Sequence, residues 1–370
     1  MLRLVSLAER GQGVGPTRQG VGGGGPGDPR PVVSIGIDLG RSKWALAVSW
    51  GGQVQRRLAT PGQLSHLEAL LDQYRECRVQ VVYEACGFGY EIAWYLQQRN
   101  IAVTVVAPVT LERAAGARVK TDKIDAAALA TKLEQGSLKG IYIPSRREHA
   151  DRQLSRTYAK AVKARQRAQV QIRALMQEQS RIGPSPAQGW SAYARWLGQQ
   201  SDLPEPVTVS LNELGQVRQA AAESAKRLKG ALLKLGKSPE YATVVAAVRA
   251  QPGIGPLTAI RVVVEIATIR RFASAGSFVH YLGLTPSEYS TSESIRRGHI
   301  LKCGPGYIRS WLLECAWRAI GVRGDQALRE CFERLAPRIG RKRAIVAVAR
   351  RLALRLRARW IEAAPSPTQA

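Results

Sequence analysis

The stretch from Val32 to Ala130 alternates short apolar runs with helical patterns, and this order restricts the fold more than any other feature of the chain. Three strand-like runs come first, at 32–38, 44–50 and 53–59, and Gly51-Gly52 is typical of a hairpin turn between the last two. Helix, strand, helix, strand and helix follow. A three-strand meander that passes into β-α-β units predicts a mixed sheet with helices packed against its faces.

The later part of this stretch places two further strands between helical patterns. Residues 61–76 and 88–98 are predicted to be helices, and residues 79–84 and 103–107 are apolar runs of strand length. The meander, the later strands and the closing helix together follow the ribonuclease-H-like order. The sequence therefore predicts an α/β domain over residues 32–145.

Four acidic side chains occupy the ends of these elements. Asp38 closes the first strand and Glu84 the fourth, at the edge where open α/β sheets place their sites. Asp122 and Asp125 stand three residues apart where the last helix begins, so their carboxylates would share one helix face. The helix dipole alone would explain one acid in this first turn. Four carboxylates at one edge require divalent cations, and two Mg²⁺ ions about 4 Å apart would clamp the attacking and leaving oxygens of a phosphodiester.

The charge balance indicates a polyanionic partner. Lysine and arginine total 55 against 28 aspartate and glutamate, a formal net charge of +27. Such an excess favours nucleic acid and is larger than solubility alone requires. The sequence has no apolar run of membrane-spanning length, and its first thirty residues lack a secretory hydrophobic core. The five cysteines include no Cys-x-x-Cys pair, so neither a disulfide framework nor a zinc knuckle is indicated, and a reducing cytosol is the expected compartment.

The acidic motifs resemble those of a known family. Ile35-Gly36-Ile37-Asp38, Tyr83-Glu84-Ala85-Cys86-Gly87 and Lys120-Thr121-Asp122-Lys123-Ile124-Asp125-Ala126 are similar to the DEDD signature of the insertion-sequence transposases of the IS one-ten and IS eleven-eleven group. The N-terminal domain of that family is similar to the Holliday-junction resolvase RuvC. The resemblance implies a RuvC-like domain in which Asp38, Glu84, Asp122 and Asp125 bind Mg²⁺.

Residues 147–180 form a long, basic helical pattern with a broken apolar seam. This pattern favours a coiled-coil or helical-hairpin arm. A solvated basic helix and a surface that contacts phosphates explain its charge equally well. Residues 183–208, rich in proline, glycine and tryptophan, are predicted to turn the chain, and a helix over about 210–235 is predicted to return along the arm.

The turn Pro252-Gly253-Ile254-Gly255 separates helical patterns at 239–250 and 257–268. This arrangement is typical of a helix-hairpin-helix motif, in which glycines such as Gly253 and Gly255 let backbone N–H groups approach a DNA phosphate. An ordinary glycine turn between two packed helices is the alternative.

A hydroxyl-rich loop follows the run Leu284-Thr285-Pro286. Its hydroxyls and the basic side chains after them are Ser290, Thr291, Ser292, Ser294, Arg296, Arg297, His299 and Lys302. The guanidinium groups would neutralise a phosphate while a serine oxygen attacks it, whereas a polar loop without catalytic function is the plain alternative. The region resembles the C-terminal transposase domain of the same family, in which a serine of this loop accepts the DNA phosphate.

The identity of the nucleophile stays open among three hydroxyls. Family members have serine and then glycine where this chain has Thr291 and Ser292, and Gly304-Pro305-Gly306 replaces the usual Gly-Asn. A primary hydroxyl is less crowded than that of the β-branched threonine, which favours Ser292, one residue from the family's position. Thr291 holds that position and is the second candidate, and Ser290 is the third.

The chain is thus predicted to combine an α/β domain with all-α regions. In order these are a disordered glycine-rich tail (1–31), the RuvC-like DEDD domain (32–145), a helical coiled-coil linker (146–238), a serine transposase domain with the helix-hairpin-helix (239–335) and a basic C-terminal helix and tail (336–370). The arginine-rich C-terminal helix is amphipathic. We expect it to pack on the preceding domain and to offer its basic face to nucleic acid.

The predicted function is that of a DNA transposase or recombinase acting on donor and target DNA. The resemblance further implies a structured guide RNA and a homodimer or homotetramer whose active-site parts meet across protomers. A junction-resolving nuclease would need only the four acids. A sugar-kinase-like or actin-like ATPase also begins Ile-Asp-Leu-Gly, but it would need further phosphate loops and leaves the net charge unexplained. A non-catalytic nucleic-acid-binding protein is the remaining alternative.

Overall fold

The structure, a computed structural model, describes residues 29–107, 126–288 and 297–364. Residues 1–28, most of the predicted glycine-rich tail, lie outside the described residues. The chain divides into two compact units, Met1–Arg146 and Arg147–Ala370.

The first unit is built on a five-stranded mixed sheet. Its elements are β1 (Val32–Leu39), β2 (Lys43–Trp50), β3 (Gln53–Pro61), α1 (Leu64–Asp72), β4 (Arg78–Glu84), α2 (Glu91–Gln98), β5 (Ala102–Val106) and α3 (Ala126–Glu134). The strand order is β3-β2-β1-β4-β5, in which β1, β2 and β3 pair antiparallel and β1, β4 and β5 pair parallel. The predicted mixed sheet is confirmed, and its order is consistent with a ribonuclease-H-like domain.

The central strand β1 is covered on both faces, which explains its continuous apolar run. Ile35 and Ile37 pack with side chains of α1 and α2 on one face. Gly36, between them, lies against α3 on the other face, because successive residues of a strand point to opposite sides. One strand therefore contributes to the core on one side and to the candidate site on the other.

The predicted helices of this unit are present but shorter than their patterns. The helix predicted over 61–76 is α1, and it starts later because β3 continues to Pro61, which pairs with Lys43. The helix predicted over 88–98 begins at Glu91, after a turn.

The second unit is mainly helical. Its elements are α4 (Arg146–Glu178), α5 (Gly189–Leu197), α6 (Glu205–Leu235), α7 (Pro239–Arg249), α8 (Pro256–Ile266), α9 (Ala275–Tyr281), β6 (Pro286–Glu288), β7 (Arg297–Ile300), α10 (Gly306–Ala319), α11 (Gln326–Ile339) and α12 (Arg341–Ala363). A five-strand sheet followed by a helical region confirms the predicted fold class at this level.

Two long helices, α4 with 33 residues and α6 with 31, are joined through α5. The guanidinium of Arg173 on α4 lies 3.9 Å from the ring centre of Tyr193 on α5. Arg218 on α6 lies 5.1 Å from the ring centre of Trp190, also on α5. The aromatic residues of the predicted turn thus contact both long helices, and cation–π contacts of this kind each contribute about 0.5–1 kcal/mol at exposed sites.

The core of the second unit forms around α8, α10 and α12. Val348 and Leu352 of α12 are fully buried, and α12 packs against α7, α10 and α11. Gly340, with φ +81°, separates α11 from α12. The C-terminal arginine-rich helix is therefore a central core element as well as a basic surface. Within the residues that the structure describes, no helix combines the length and the apolar character needed to cross a membrane.

Candidate active site

Asp38 and Glu84 occupy equivalent positions on adjacent parallel strands. Ile37 of β1 and Tyr83 of β4 are register partners, and the two acids are the next residues of these strands. Neighbouring strands lie about 4.8 Å apart, and equivalent residues point to the same face. Both acids are partly exposed. The fold therefore brings together two of the four acids that the sequence analysis singled out.

The two acids point to the face of the sheet that carries α3. Gly36, two residues before Asp38, lies against the backbone of this helix. Val82, two residues before Glu84, belongs to a buried cluster with Leu129 of α3. Because residues two apart on a strand share a face, the carboxyl groups and α3 lie on the same side of the sheet.

A close approach of two backbones holds α3 against the central strand β1. A Cβ atom built on Gly36 would lie 2.7 Å from the backbone nitrogen of Ala130 and still closer to the carbonyl oxygen of Ala126. Only glycine allows a helix backbone to come this near to a strand. Ala126, the first residue of α3, directly follows Asp125 in the sequence.

The other end of α3 is fixed by Glu134. Its carboxylate accepts a hydrogen bond of 2.5 Å from the hydroxyl of Ser49, which is fully buried, and one of 2.7 Å from the backbone N–H of Gly52. Both donors belong to the β2–β3 hairpin. Glu134 is not recognisable from the sequence, because an acid near the end of a helix is usually solvated and nothing in its spacing indicates a partner 85 residues away.

The other two predicted ligands, Asp122 and Asp125, lie outside the described residues. Among the residues that the structure describes, no group of three or more His, Cys, Asp or Glu side chains is arranged to hold a metal ion. Asp38 and Glu84 fit a divalent cation in chemistry, since carboxylate oxygens are the ligands that Mg²⁺ prefers.

The hydroxyl-rich loop joins the two strands of a short hairpin in the second unit. Strands β6 and β7 pair antiparallel, with Pro286 opposite Ile300 and Glu288 opposite Arg297. The predicted site residues Ser290, Thr291, Ser292 and Arg296 lie outside the described residues. Arg297 begins β7, and His299 and Lys302 are exposed on this strand and just after it.

The base of this hairpin is held by Arg309 of α10. Its guanidinium donates hydrogen bonds to the carbonyl oxygens of Leu282 (3.0 Å) and Cys303 (3.2 Å), one on each side of the hairpin. Gly283 and Gly304 both have φ near +70°, at +66° and +70°. A Cβ on either would collide with the opposite segment, so glycine is required at both. The role of Arg309 is not visible in the sequence, because its guanidinium joins two segments, at Leu282 and Cys303, that lie apart in the chain.

The turn between α7 and α8 packs against α10. Gly253 has φ +81°, and a Cβ there would lie 3.0 Å from the backbone nitrogen of Ala319 and closer to the carbonyl oxygen of Cys315. Gly255 has no atom within 4 Å of a Cβ position among the described residues. Internal packing therefore explains why Gly253 is glycine, and it leaves Gly255 as the more open position of the turn.

Family comparisons match both parts of the chain. The profile described as "Transposase IS116/IS110/IS902 family" matches residues 245–333. The DEDD transposase profile of IS110, described as "Transposase", matches residues 35–180. The first range contains the hairpin and its base, and the second contains Asp38, Glu84 and α3.

Several curated proteins are similar over most of the chain. "Putative transposase y4qE" of Sinorhizobium fredii is 30% identical over 293 residues, which cover 76% of this chain and 70% of that protein. "Transposase for insertion sequence element IS1328" of Yersinia enterocolitica is 24% identical, covering 77% of this chain and 83% of its own length. "Probable family 20 transposase" of Pseudomonas aeruginosa is 27% identical, covering 64% and 70% respectively.

Proposed function

Because the chain belongs to the IS116/IS110/IS902 family of transposases, we propose that it cuts and rejoins DNA with a Mg²⁺-binding carboxylate cluster and a loop hydroxyl as nucleophile, guided by an RNA. DNA transposase activity follows from the family itself. The observation that carries the finer proposal is the pair Asp38 and Glu84, neighbours on adjacent strands on the face covered by α3.

The metal would be held by Asp38 and Glu84 together with Asp122 and Asp125, which precede α3 in the sequence. DEDD transposases generally use a divalent metal ion. When bound, Mg²⁺ supplies positive charge to the phosphate oxygens at which negative charge develops. The Gly36–α3 approach and the bonds of Glu134 hold α3 on the face of the sheet that carries the strand acids, which supports a site with four converging ligands.

The nucleophile would come from the loop between β6 and β7, with Ser292 first, Thr291 second and Ser290 third. Its hydroxyl oxygen attacks the scissile phosphorus, a phosphodiester forms between protein and DNA, and the bond to the leaving deoxyribose oxygen breaks. The hydroxyl proton passes to that oxygen through solvent. A free DNA hydroxyl then attacks the same phosphorus and releases the protein hydroxyl, so the number of phosphodiester bonds is conserved.

Basic residues near the loop would hold the phosphate during this exchange. Arg296, Arg297, His299 and Lys302 follow the hydroxyls within one hairpin. Gly255, whose surroundings are open, would bring backbone N–H groups to a phosphate as in a helix-hairpin-helix. The net charge of +27 supports binding of donor DNA, target DNA and a guide RNA, whose base pairing leaves the protein to contact shape and backbone. We further propose a homodimer or homotetramer.

The carboxylate cluster is tested by Asp38→Asn and Glu84→Gln. We expect strand exchange between donor and target DNA to fall to background while nucleic-acid binding persists, because distributed lysines and arginines supply most of the affinity. Asp72→Asn, an exposed acid at the end of α1, is the matched control and should leave both unchanged. Wild-type exchange by Asp38→Asn would exclude the carboxylate cluster.

The nucleophile is tested by trapping the covalent protein–DNA intermediate on a nicked suicide substrate and locating the modified residue by mass spectrometry. An adduct at Ser292 that disappears in Ser292→Ala supports the first choice, and an adduct at Thr291 supports the family's position. If Asp38-dependent cutting continues while no hydroxyl of the loop is modified, the protein cleaves as a junction-resolving nuclease instead.

A further inference from the structure

A cavity lies between α4, α8 and α10 of the second unit. Its volume is about 440 Å³, within the ~300–1,000 Å³ that is usual for small-ligand sites. Six of the residues that line it are Ser155, Tyr158, Arg261, Glu265, Tyr307 and Trp311.

Flat groups form one part of the cavity wall. The guanidinium carbon of Arg261 lies 3.8 Å from the ring centre of Trp311 and 4.9 Å from that of Tyr158. The ring of Tyr307 is 5.3 Å from that of Trp311. Aromatic rings and guanidinium planes are the groups on which proteins stack unpaired nucleobases.

A buried carboxylate forms another part of the wall, and its charge is compensated. Glu265 is 2% exposed and accepts hydrogen bonds from the hydroxyl of Tyr307 (2.8 Å) and the guanidinium of Arg156 (3.1 Å). Burial raises the pKa of the Tyr307 hydroxyl, and the neighbouring Glu265 raises it further. Tyr307 therefore remains protonated and keeps donating to Glu265, so this acid is already paired and does not form a free cation site.

Two polar atoms in the wall have no hydrogen-bond partner in the part of the chain that the structure describes. Ser155 is fully buried, and its hydroxyl has no hydrogen-bond partner among the described residues. The Nε atom of Arg261 has none within the same part of the chain. An unsatisfied buried polar group costs about 1–3 kcal/mol, so a ligand with donors and acceptors on its edge would gain from pairing with them.

The charge around the cavity is positive. Arg156, Lys160, Lys163 and Arg261 stand against the single carboxylate of Glu265. Lys160 and Lys163 are exposed and three residues apart on α4, so they share one helix face at the cavity. A metal cation does not suit the cavity, because four positive charges would repel it. A phosphate inside the cavity does not suit it either, because it would lie against aromatic rings and the carboxylate of Glu265. A nucleotide suits both parts of the site, because its flat base with a polar edge can enter the cavity while its phosphate stays outside.

We propose that this cavity receives one unpaired nucleobase of a DNA or RNA strand, with the flanking phosphates of that strand on Lys160 and Lys163. The base would stack against the Arg261–Trp311 pair and present its polar edge to the hydroxyl of Ser155. Base binding in this cavity involves neither the proposed metal site nor the proposed nucleophile. The base-binding proposal can therefore be wrong while the proposed function is right, and the proposed function can be wrong while base binding is right.

The test measures equilibrium binding of the full chain to single-stranded oligonucleotides in which one abasic site is moved through the sequence, in a DNA series and an RNA series without metal. We expect one position at which removal of the base lowers affinity by about 5- to 100-fold, the effect of losing one stacked base. The series in which this occurs identifies the strand as DNA or RNA.

Two variants connect this effect to the cavity. Trp311→Leu should bind the intact and the abasic strand alike. Ser155→Ala, which removes only an unpaired hydroxyl, should reduce the difference while the melting temperature stays at or above that of the wild type. Trp317→Leu is the matched control, because Trp317 lies on the same helix, is 42% exposed and contacts Phe332. It should retain the full difference.

A photocrosslink gives an independent outcome. A 5-iodouracil at the sensitive position should crosslink to Tyr307 or Trp311, and a crosslink confined to another region would overturn the proposal. Absence of any base-sensitive position in both series would also overturn it, as would a full abasic effect in Trp311→Leu. Loss of strand exchange in Asp38→Asn has no bearing on these results, because binding is measured without catalysis.

Discussion

Gly36 of β1 lies against the backbone of Ala126, the first residue of α3, so closely that a side chain larger than the hydrogen of glycine does not fit at position 36. Asp38 follows Gly36 by two residues on the same face of the strand, and Asp125 precedes Ala126 by one in the sequence. This contact therefore joins the two segments that carry three of the four proposed metal ligands. Its removal should affect catalysis before it affects nucleic-acid binding.

Gly36→Ala should move the start of α3 away from the sheet. Overpacking of this kind costs about 1–3 kcal/mol, because the opposing atoms are backbone and cannot rotate away. We expect a lower melting temperature and, at a temperature where the variant is fully folded, loss of strand exchange with binding retained. Gly87→Ala is the control, since a Cβ at Gly87 meets no described atom within 4 Å. Equal melting temperatures for the two variants would contradict the close approach.

Arg309→Met should loosen the base of the hairpin that carries the hydroxyl-rich loop. The carbonyl oxygens of Leu282 and Cys303 would lose their charged donor, at a cost of about 1–3 kcal/mol. Yield of the covalent protein–DNA intermediate should fall at temperatures well below unfolding. Arg318→Met, on the same helix but exposed and in a 3.8 Å ion pair with Glu314, should stay within about 0.5 kcal/mol of wild type. An unchanged adduct yield in Arg309→Met would remove Arg309 as a positioning residue.

Binding to double-stranded DNA should weaken steeply with salt. Each phosphate neutralised by the protein contributes about −0.9 to the slope of log K against log salt concentration, so a slope of several units is expected from a chain of charge +27. For the preferred single strand, at about 0.7 per neutralised phosphate, the double variant Lys160→Ala with Lys163→Ala should make the slope shallower by up to about 1.4. A nearly flat salt response of the wild-type protein would contradict nucleic acid as the main partner.

The cysteines should differ sharply in reactivity. Burial raises the pKa of Cys315 to about 11, and its residue is 1% exposed, whereas Cys86 is exposed. At pH 8 only about 1 in 1,000 Cys315 thiols is ionised, and the thiolate is the reactive form. Maleimide labelling followed by peptide mapping should modify Cys86 rapidly and Cys315 only after denaturation. Fast labelling of native Cys315 would show that the core around α10 opens readily.

The sequence by itself determined the order and type of the elements, because that information is local. The apolar run of β1, the Gly51-Gly52 hairpin turn and the helical spacing of residues 239–250 each lie within one window of the chain. It also determined that Asp38 and Glu84 lie within one residue of the ends of two strands, and the parallel pairing of those strands was enough to make them neighbours. The charge excess, which indicates a polyanionic partner, requires no structure at all.

Only the tertiary structure decided which residues hold these elements together. Glu134 accepts a hydrogen bond from Ser49, 85 residues away, and Arg309 donates one to Leu282, 27 residues away. Gly253 packs against the backbone of α10, whereas the sequence pattern of its turn predicts an approach to a phosphate. The cavity is assembled from Ser155, Glu265 and Tyr307, which stand on three separate helices. Such contacts depend on how segments distant in the chain pack together. This packing produces no periodic pattern or fixed spacing of residues, so it cannot be predicted from a single sequence.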